Sequence, residues 1–166
     1  MHNNMSVNTN RRHWARITVK ELFYVKGRIG WRGLRRSQFV DSGPYLITGM
    51  HINNGKVQWD DCFHIPEDKF QESPEIIVAP GDLIITKDGT IGKVAYIDYL
   101  PGPASLNSHL FLVRPRVNDI DRRFAYHVFN SQIFTRYIES YQTGSTLAGL
   151  SEKHFLRVCR NSENCR

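Results

Sequence analysis

The chain has 166 residues, 40% of them hydrophobic, a size and apolar content sufficient for one packed domain. A formal net charge of +6 and a pI near 9.4 favour a polyanionic partner, because lysine and arginine gain free energy by releasing counterions condensed on phosphates. No apolar run approaches the ~20 residues that span a bilayer, and Met1 to Arg12 is Asn-rich without an apolar core, so membrane helix and secretory signal are both excluded and a soluble, cytoplasmic protein is expected.

Residues 1–13 read as a disordered lead, residues 14–158 as the domain, and residues 159–166 as a short divergent tail. Thr18-Val19-Lys20-Glu21 fits a capping box at the start of a short helix. Gly27, Gly30 and Gly33 then interrupt the pattern, which predicts a basic loop from Lys26 to Arg36 held by Trp31 and Leu34. Pro44 to Thr48 and Lys56 to Trp59 have strand composition on either side of the turn signal Asn53-Asn54-Gly55. Phe63 to Ile65 suits a short strand and Pro66 to Glu72 a helical turn. Asp82 to Thr86 and Val94 to Ile97 predict a hairpin around Lys87 to Lys93, where Gly89 and Gly92 supply positive φ. After a turn-rich stretch from Leu100 to Ser105, His109 to Arg114 reads as another strand.

Arg123 to Asn130 and Ser131 to Gln142 are the strongest helical segments, the second with an apolar stripe of Ile133, Phe134, Tyr137, Ile138 and Tyr141. Strands in the first two thirds and helices in the last third predict a single α+β domain with a twisted antiparallel or mixed sheet of short strands and hairpins.

Charge is unevenly placed along the chain. Arg11, Arg12, Arg16, Lys20, Lys26, Arg28, Arg32, Arg35 and Arg36 face the single acid Glu21 in one stretch, whereas Asp60, Asp61, Glu67, Asp68, Glu72, Glu75 and Asp82 are opposed only by Lys69 in the next. Such polarity is expected to attract phosphate at one part of the surface and repel it at another.

Catalytic and cofactor motifs fail on spacing. Gly89-Thr90-Ile91-Gly92-Lys93 lacks the first glycine of a phosphate loop, where Lys87 stands, and its Ser or Thr after the lysine, where Val94 stands. Ser105 or Ser108 beside His109 has no nucleophile elbow, and Cys62, Cys159 and Cys165 have no CxxC or zinc-finger spacing. They read as reduced thiols, and neither metal nor cofactor is expected. What remains is three polar clusters: Lys87, Asp88, Thr90 and Lys93; Ser105, Asn107, Ser108 and His109; and Gln142, Thr143, Gly144, Ser145 and Thr146. Their side chains suit contacts to phosphates and base edges, and equally suit ordinary loops.

Four segments in order carry a family resemblance. Gly81 to Ala95 closely resembles the signature segment of type I restriction-modification specificity-subunit target recognition domains. Gly27 to Leu34, Ala104 to Leu110, and Gly144-Ser145-Thr146 followed by Leu150 to Leu156 resemble the family's other recurring stretches. The resemblance implies a non-catalytic domain that reads one half of a split double-stranded DNA target, its partners being a methyltransferase subunit and a restriction subunit. On that basis Arg28, Arg32, Arg35 and Arg36 are expected to contact phosphate or guanine, Lys87, Thr90 and Lys93 the backbone or a base edge, and Asn107, Ser108, His109, Ser145 and Thr146 the rest of the surface. Gly89 and Gly92 are expected to shape the turn. The pattern ends at Val158, before the spacer helix that such subunits carry, so a truncated subunit is expected. The alternative is an interaction or decoy module that binds partner protein without reading DNA.

Overall fold

A computed structural model describes residues 18–29, 34–117, 120–142 and 149–157. The expectations placed on Trp14, Gly30, Trp31, Arg32, Gly33, Ser145, Thr146, Cys159 and Cys165 lie outside the described residues. The capping signal at Thr18 opens a helix of one turn, α1 (Val19–Leu22), with the Thr18 backbone N–H donating to Glu21 Oε2 at 2.7 Å. That backbone hydrogen bond, with one from the Thr18 hydroxyl, holds the Glu21 carboxyl below its ordinary value. The chain then turns directly into β1 (Phe23–Lys26), a strand absent from the sequence expectation.

β1 is the edge of a four-stranded antiparallel sheet of order β1-β9-β6-β7, where β6 is Leu83–Thr86, β7 Val94–Tyr96 and β9 Leu110–Pro115. Side chains alternate across a strand, and here both faces are covered. Leu83 and Ile85 of β6, with Phe111 and Val113 of β9, pack on helices α3 (Arg122–Phe129), α4 (Gln132–Gln142) and α5 (Glu152–Phe155) through Ala125, Phe129, Phe134, Ile138 and Phe155. Ile84, Leu110 and Leu112 point the other way. They meet Ile47 and Leu106 from a second sheet, β5-β2-β8, built of β2 (Val40–Ile47), β5 (Phe63–His64) and β8 (Ala104–Leu106). Burial on two sides is why β6 and β9 read as unbroken apolar runs. A small hairpin, β3 (Ile52–Asn53) and β4 (Lys56–Val57), and helix α2 (Glu67–Gln71) complete an α+β domain.

The Asn54-Gly55 turn has φ of 48° and 76°, the two positive values of the hairpin turn whose twist matches its strands. Its partner strand is Ile52–Asn53 rather than residues 44–48, and Trp59–Asp61 is a 3-10 turn rather than strand. The turn-rich stretch from Leu100 to Ser105, with Pro101 and Pro103, does not stay turn to its end: Ala104 and Ser105 begin β8, which parallel pairing with β2 makes a strand. Ile133 departs from its expected apolar stripe at 60% exposure, because Phe134 and Ile138 already fill the space under the sheet. Asp82 departs from the expected acidic surface: it is 2% exposed, and both of its oxygens accept from Arg114, from Nε and Nη2 at 2.7 Å each. That pair holds the Arg114 guanidinium above its ordinary value. Among the described residues no helix is long and apolar enough to cross a membrane.

Candidate nucleic-acid interface

Topology alone gathers the polar loops. β1 and β6 run one way and β9 and β7 the other, so the end of β1, the end of β6 and the start of β9 lie at the same end of the sheet. The residues after Lys26, the hairpin loop after Thr86 and the Asn107–His109 turn before Leu110 therefore emerge together. A side chain built on Gly27 would come within 3.1 Å of the Leu110 carbonyl and 3.3 Å of the Lys87 ammonium, so the basic stretch starts against the hairpin. The chain returns to this end once more, where Gly149 bridges Asp88 and the Leu150 N–H donates to the Lys87 carbonyl at 2.6 Å.

The hairpin loop is held from inside by Thr86. Its buried hydroxyl donates to the Thr90 carbonyl and accepts from the Lys93 N–H at 2.9 Å, while the Gly92 N–H donates to the Thr86 carbonyl at 3.0 Å. Gly89 and Gly92 take φ of +66° and +87°, which leaves Gly89, Thr90 and Lys93 exposed at the tip. Thr86 was missed as a site-shaping residue. Its position as the last residue of a strand before a glycine-bearing loop was the available signal.

Lys87 is partly buried with its ammonium 5.2 Å from the centre of the Phe111 ring, a cation–π contact that steadies the charge at the loop end of the sheet. Its N–H donates to the His109 carbonyl at 3.0 Å, tying the two loops. The Asn107 side-chain oxygen accepts from the His109 N–H at 3.1 Å, and His109 Nδ1 lies 2.6 Å from Asp88 Oδ1. Lys87, Thr90, Lys93, Asn107, Ser108 and His109 thus share one end of the domain, with His109, Thr90 and Lys93 the most open of them.

Arg28 and Ser105 are turned inward, which corrects their placement among surface groups. Arg28 is 2% exposed, its Nε donating to the Leu106 carbonyl at 2.9 Å and its other nitrogens to Ser105 Oγ at 3.1 Å and Ser73 Oγ at 3.2 Å. A guanidinium so enclosed joins β8 to the segment after α2 and cannot also reach a phosphate. Arg35 and Arg36 are exposed on a 3-10 turn between Leu34 and Phe39, which pack on Leu46, Ile65 and Phe70 beside the second sheet. Phe39 stacks on Phe63, Phe63 meets the buried His51, and a side chain on Gly49 would touch Thr86. The arginine turn thus packs through Phe39 and Phe63 on His51, and the backbone of Gly49, two residues before His51, passes close to Thr86 at the hairpin base.

Burial lowers the affinity of His51 for a proton, against a smaller opposing effect of Asp61. The Cys62 thiol is pushed up to about 12, first by burial and then by Asp61. No group of three or more His, Cys, Asp or Glu side chains is arranged to hold a metal ion among the described residues.

The family model described as the type I restriction modification DNA specificity domain matches residues 11–158. The specificity subunit of the type I restriction enzyme MjaVIII from Methanocaldococcus jannaschii is 19% identical over 136 residues, 80% of this chain and 31% of that protein. The crystal structure of a type I restriction-modification S subunit from M. genitalium superposes with a TM-score of 0.58 at 16% identity, over 87% of this chain and 33% of that one. A structure describing complex assembly and conformational transition of the type I R-M system gives a TM-score of 0.63 at 14% identity, over 88% and 33%. The chain therefore spans about a third of the length of these relatives.

Proposed function

As a single domain belonging to the type I restriction-modification DNA specificity family, this chain, we propose, reads one half of a split target in double-stranded DNA. The observation that carries the proposal is the common sheet end from which the Lys87–Lys93 hairpin and the Asn107–His109 turn project, with the start of the basic stretch against them. Lys87 and Lys93, with Arg35, Arg36 and Arg32, supply attraction to phosphates, which sets register without carrying sequence information. Thr90, Asn107, Ser108 and His109, with Ser145 and Thr146, supply the hydrogen-bonding groups for base edges. Arg28 is left out of this set because its guanidinium is enclosed.

Methyl transfer and cleavage fall, in this reading, to a methyltransferase subunit and a restriction subunit that the domain directs in the cytoplasm. The domain itself is non-catalytic and runs from residue 14 to residue 158. Selection from a random duplex library with the purified chain tests the proposal. One short enriched motif is expected, with log affinity falling against log salt at about −0.9 per neutralised phosphate. Uniform recovery of all sequences, with the same salt dependence, would reduce the domain to a generic cationic surface.

A further inference from the structure

We propose that Asp88 is a positioning residue for base discrimination, its carboxylate fixing the His109 imidazole so that Nε2 meets the major groove as an acceptor for an exocyclic amino group of adenine or cytosine. The inference rests on the DNA-reading function above and adds to it a residue and a base-edge chemistry.

An ionised carboxylate only accepts hydrogen bonds, so the His109 Nδ1 that lies 2.6 Å from Asp88 Oδ1 carries its hydrogen toward that oxygen. In the neutral ring the lone pair then belongs to Nε2, at the opposite pole. The backbone of His109 is held on both sides, its N–H by the Asn107 side chain at 3.1 Å and its carbonyl by the Lys87 N–H at 3.0 Å. Its side chain is nevertheless 60% exposed, and Nε2 has no partner among the described residues. A ring fixed at one pole and open at the other loses little further freedom when a ligand arrives. Adenine N6 and cytosine N4 are the amino donors that the major groove displays.

Asp88 without such a role is a liability at this place. A carboxylate beside Lys87, on the end of the domain that faces a polyanion, repels every duplex alike. Removing it by charge alone therefore tightens all binding, whereas removing a positioning group erases preference at one base pair. The two roles differ in sign.

The test compares the full chain with Asp88→Ala, Asp88→Asn and His109→Ala, by random-duplex selection and by affinity at pH 8 for the duplex that the unaltered chain recovers. Expected is one motif position, adenine or cytosine, whose preference of about 5-fold or more is lost in both alanine variants. Asp88→Asn, whose amide oxygen still accepts from Nδ1, keeps most of it. The base that loses its preference tells adenine from cytosine, and a duplex carrying purine or 2-pyrimidinone at that position, each lacking the amino group, reproduces the loss in the unaltered chain. Uniformly tighter binding by Asp88→Ala with an unchanged motif, or an asparagine variant no better than alanine, overturns the proposal and leaves the DNA-reading function standing. An unaltered chain that enriches nothing overturns that function itself.

Discussion

Replacing Arg28 with methionine removes a guanidinium while keeping an unbranched side chain that still reaches into the space between β8 and the segment after α2. The guanidinium is 2% exposed, and the Leu106 carbonyl and the Ser105 and Ser73 hydroxyls are among its acceptors. Hydrogen bonds from a charged donor contribute about 1.5–3 kcal/mol each. Removing the buried charge relieves several kcal/mol of desolvation at the same time, which leaves a net loss of about 3 kcal/mol. With a urea dependence of about 2 kcal/mol per molar, the unfolding midpoint falls by about 1.5 M. The fluorescence of the buried Trp59 follows the transition. Arg35→Met, at an exposed site, serves as the control and stays within about 0.5 kcal/mol of the unaltered chain. Below its own midpoint the Arg28 variant keeps the salt slope of DNA binding, since no phosphate contact has been lost. An Arg28→Met chain that unfolds at the original urea concentration yet binds all duplexes more weakly would refute the reasoning and return Arg28 to the DNA surface.

Lys93→Ala, at the open tip, weakens binding to matched and unmatched duplexes alike and reduces the salt slope by about 0.9, read from a titration series. Gly92→Ala is expected to cost more in urea unfolding than Gly89→Ala, where positive φ alone contributes about 1–2 kcal/mol, because a Cβ at Gly92 comes within 3.1 Å of Ile138 while nothing lies within 4 Å at Gly89. His51 has its proton affinity lowered by burial, so above its ordinary value of 6.5 the ring is neutral in both states and its contribution to stability is complete. As pH falls below 6.5 the unfolded chain takes the proton first and stability is lost until the folded value is passed; His51→Asn flattens that part of a urea midpoint against pH. The Cys62 thiol, raised to about 12 by burial, resists alkylation at pH 8 in the folded chain and reacts in urea, as mass spectrometry of the peptide reports.

Local signals in this chain are legible where they act locally. The Asn54-Gly55 turn, the β6–β7 hairpin and helices α3 and α4 each follow from residues within a dozen positions of one another. β1 was hidden because Phe23–Lys26 offers only two inward and two partly covered side chains, too short an alternation to stand out beside a capping signal. β8 was hidden by the prolines just before it, Pro101 and Pro103, and by a pairing with β2 that joins residues almost sixty positions apart. The polar loops were identified as a group, but their meeting at one sheet end depends on strand order, which no local pattern carries. Burial misled the reading of charge in the same way: Asp82 and Arg28 count as surface in a sequence until Arg114 and the β8 carbonyl enclose them. The pairing of Asp88 with His109 likewise spans two loops and follows from β6 lying beside β9.

Photo-crosslinking from a benzoylphenylalanine placed singly at Thr90, His109, Asn54 or Tyr99 tests the location of the DNA face most directly, since the first two stand at the loop end of the four-stranded sheet and the last two near the far end of β7. Crosslinks to a bound duplex are predicted from Thr90, and from His109 unless that substitution has itself abolished binding, with none from Asn54 or Tyr99. Crosslinking from Asn54 or Tyr99, with Thr90 silent, would place the duplex on the opposite end and contradict the account.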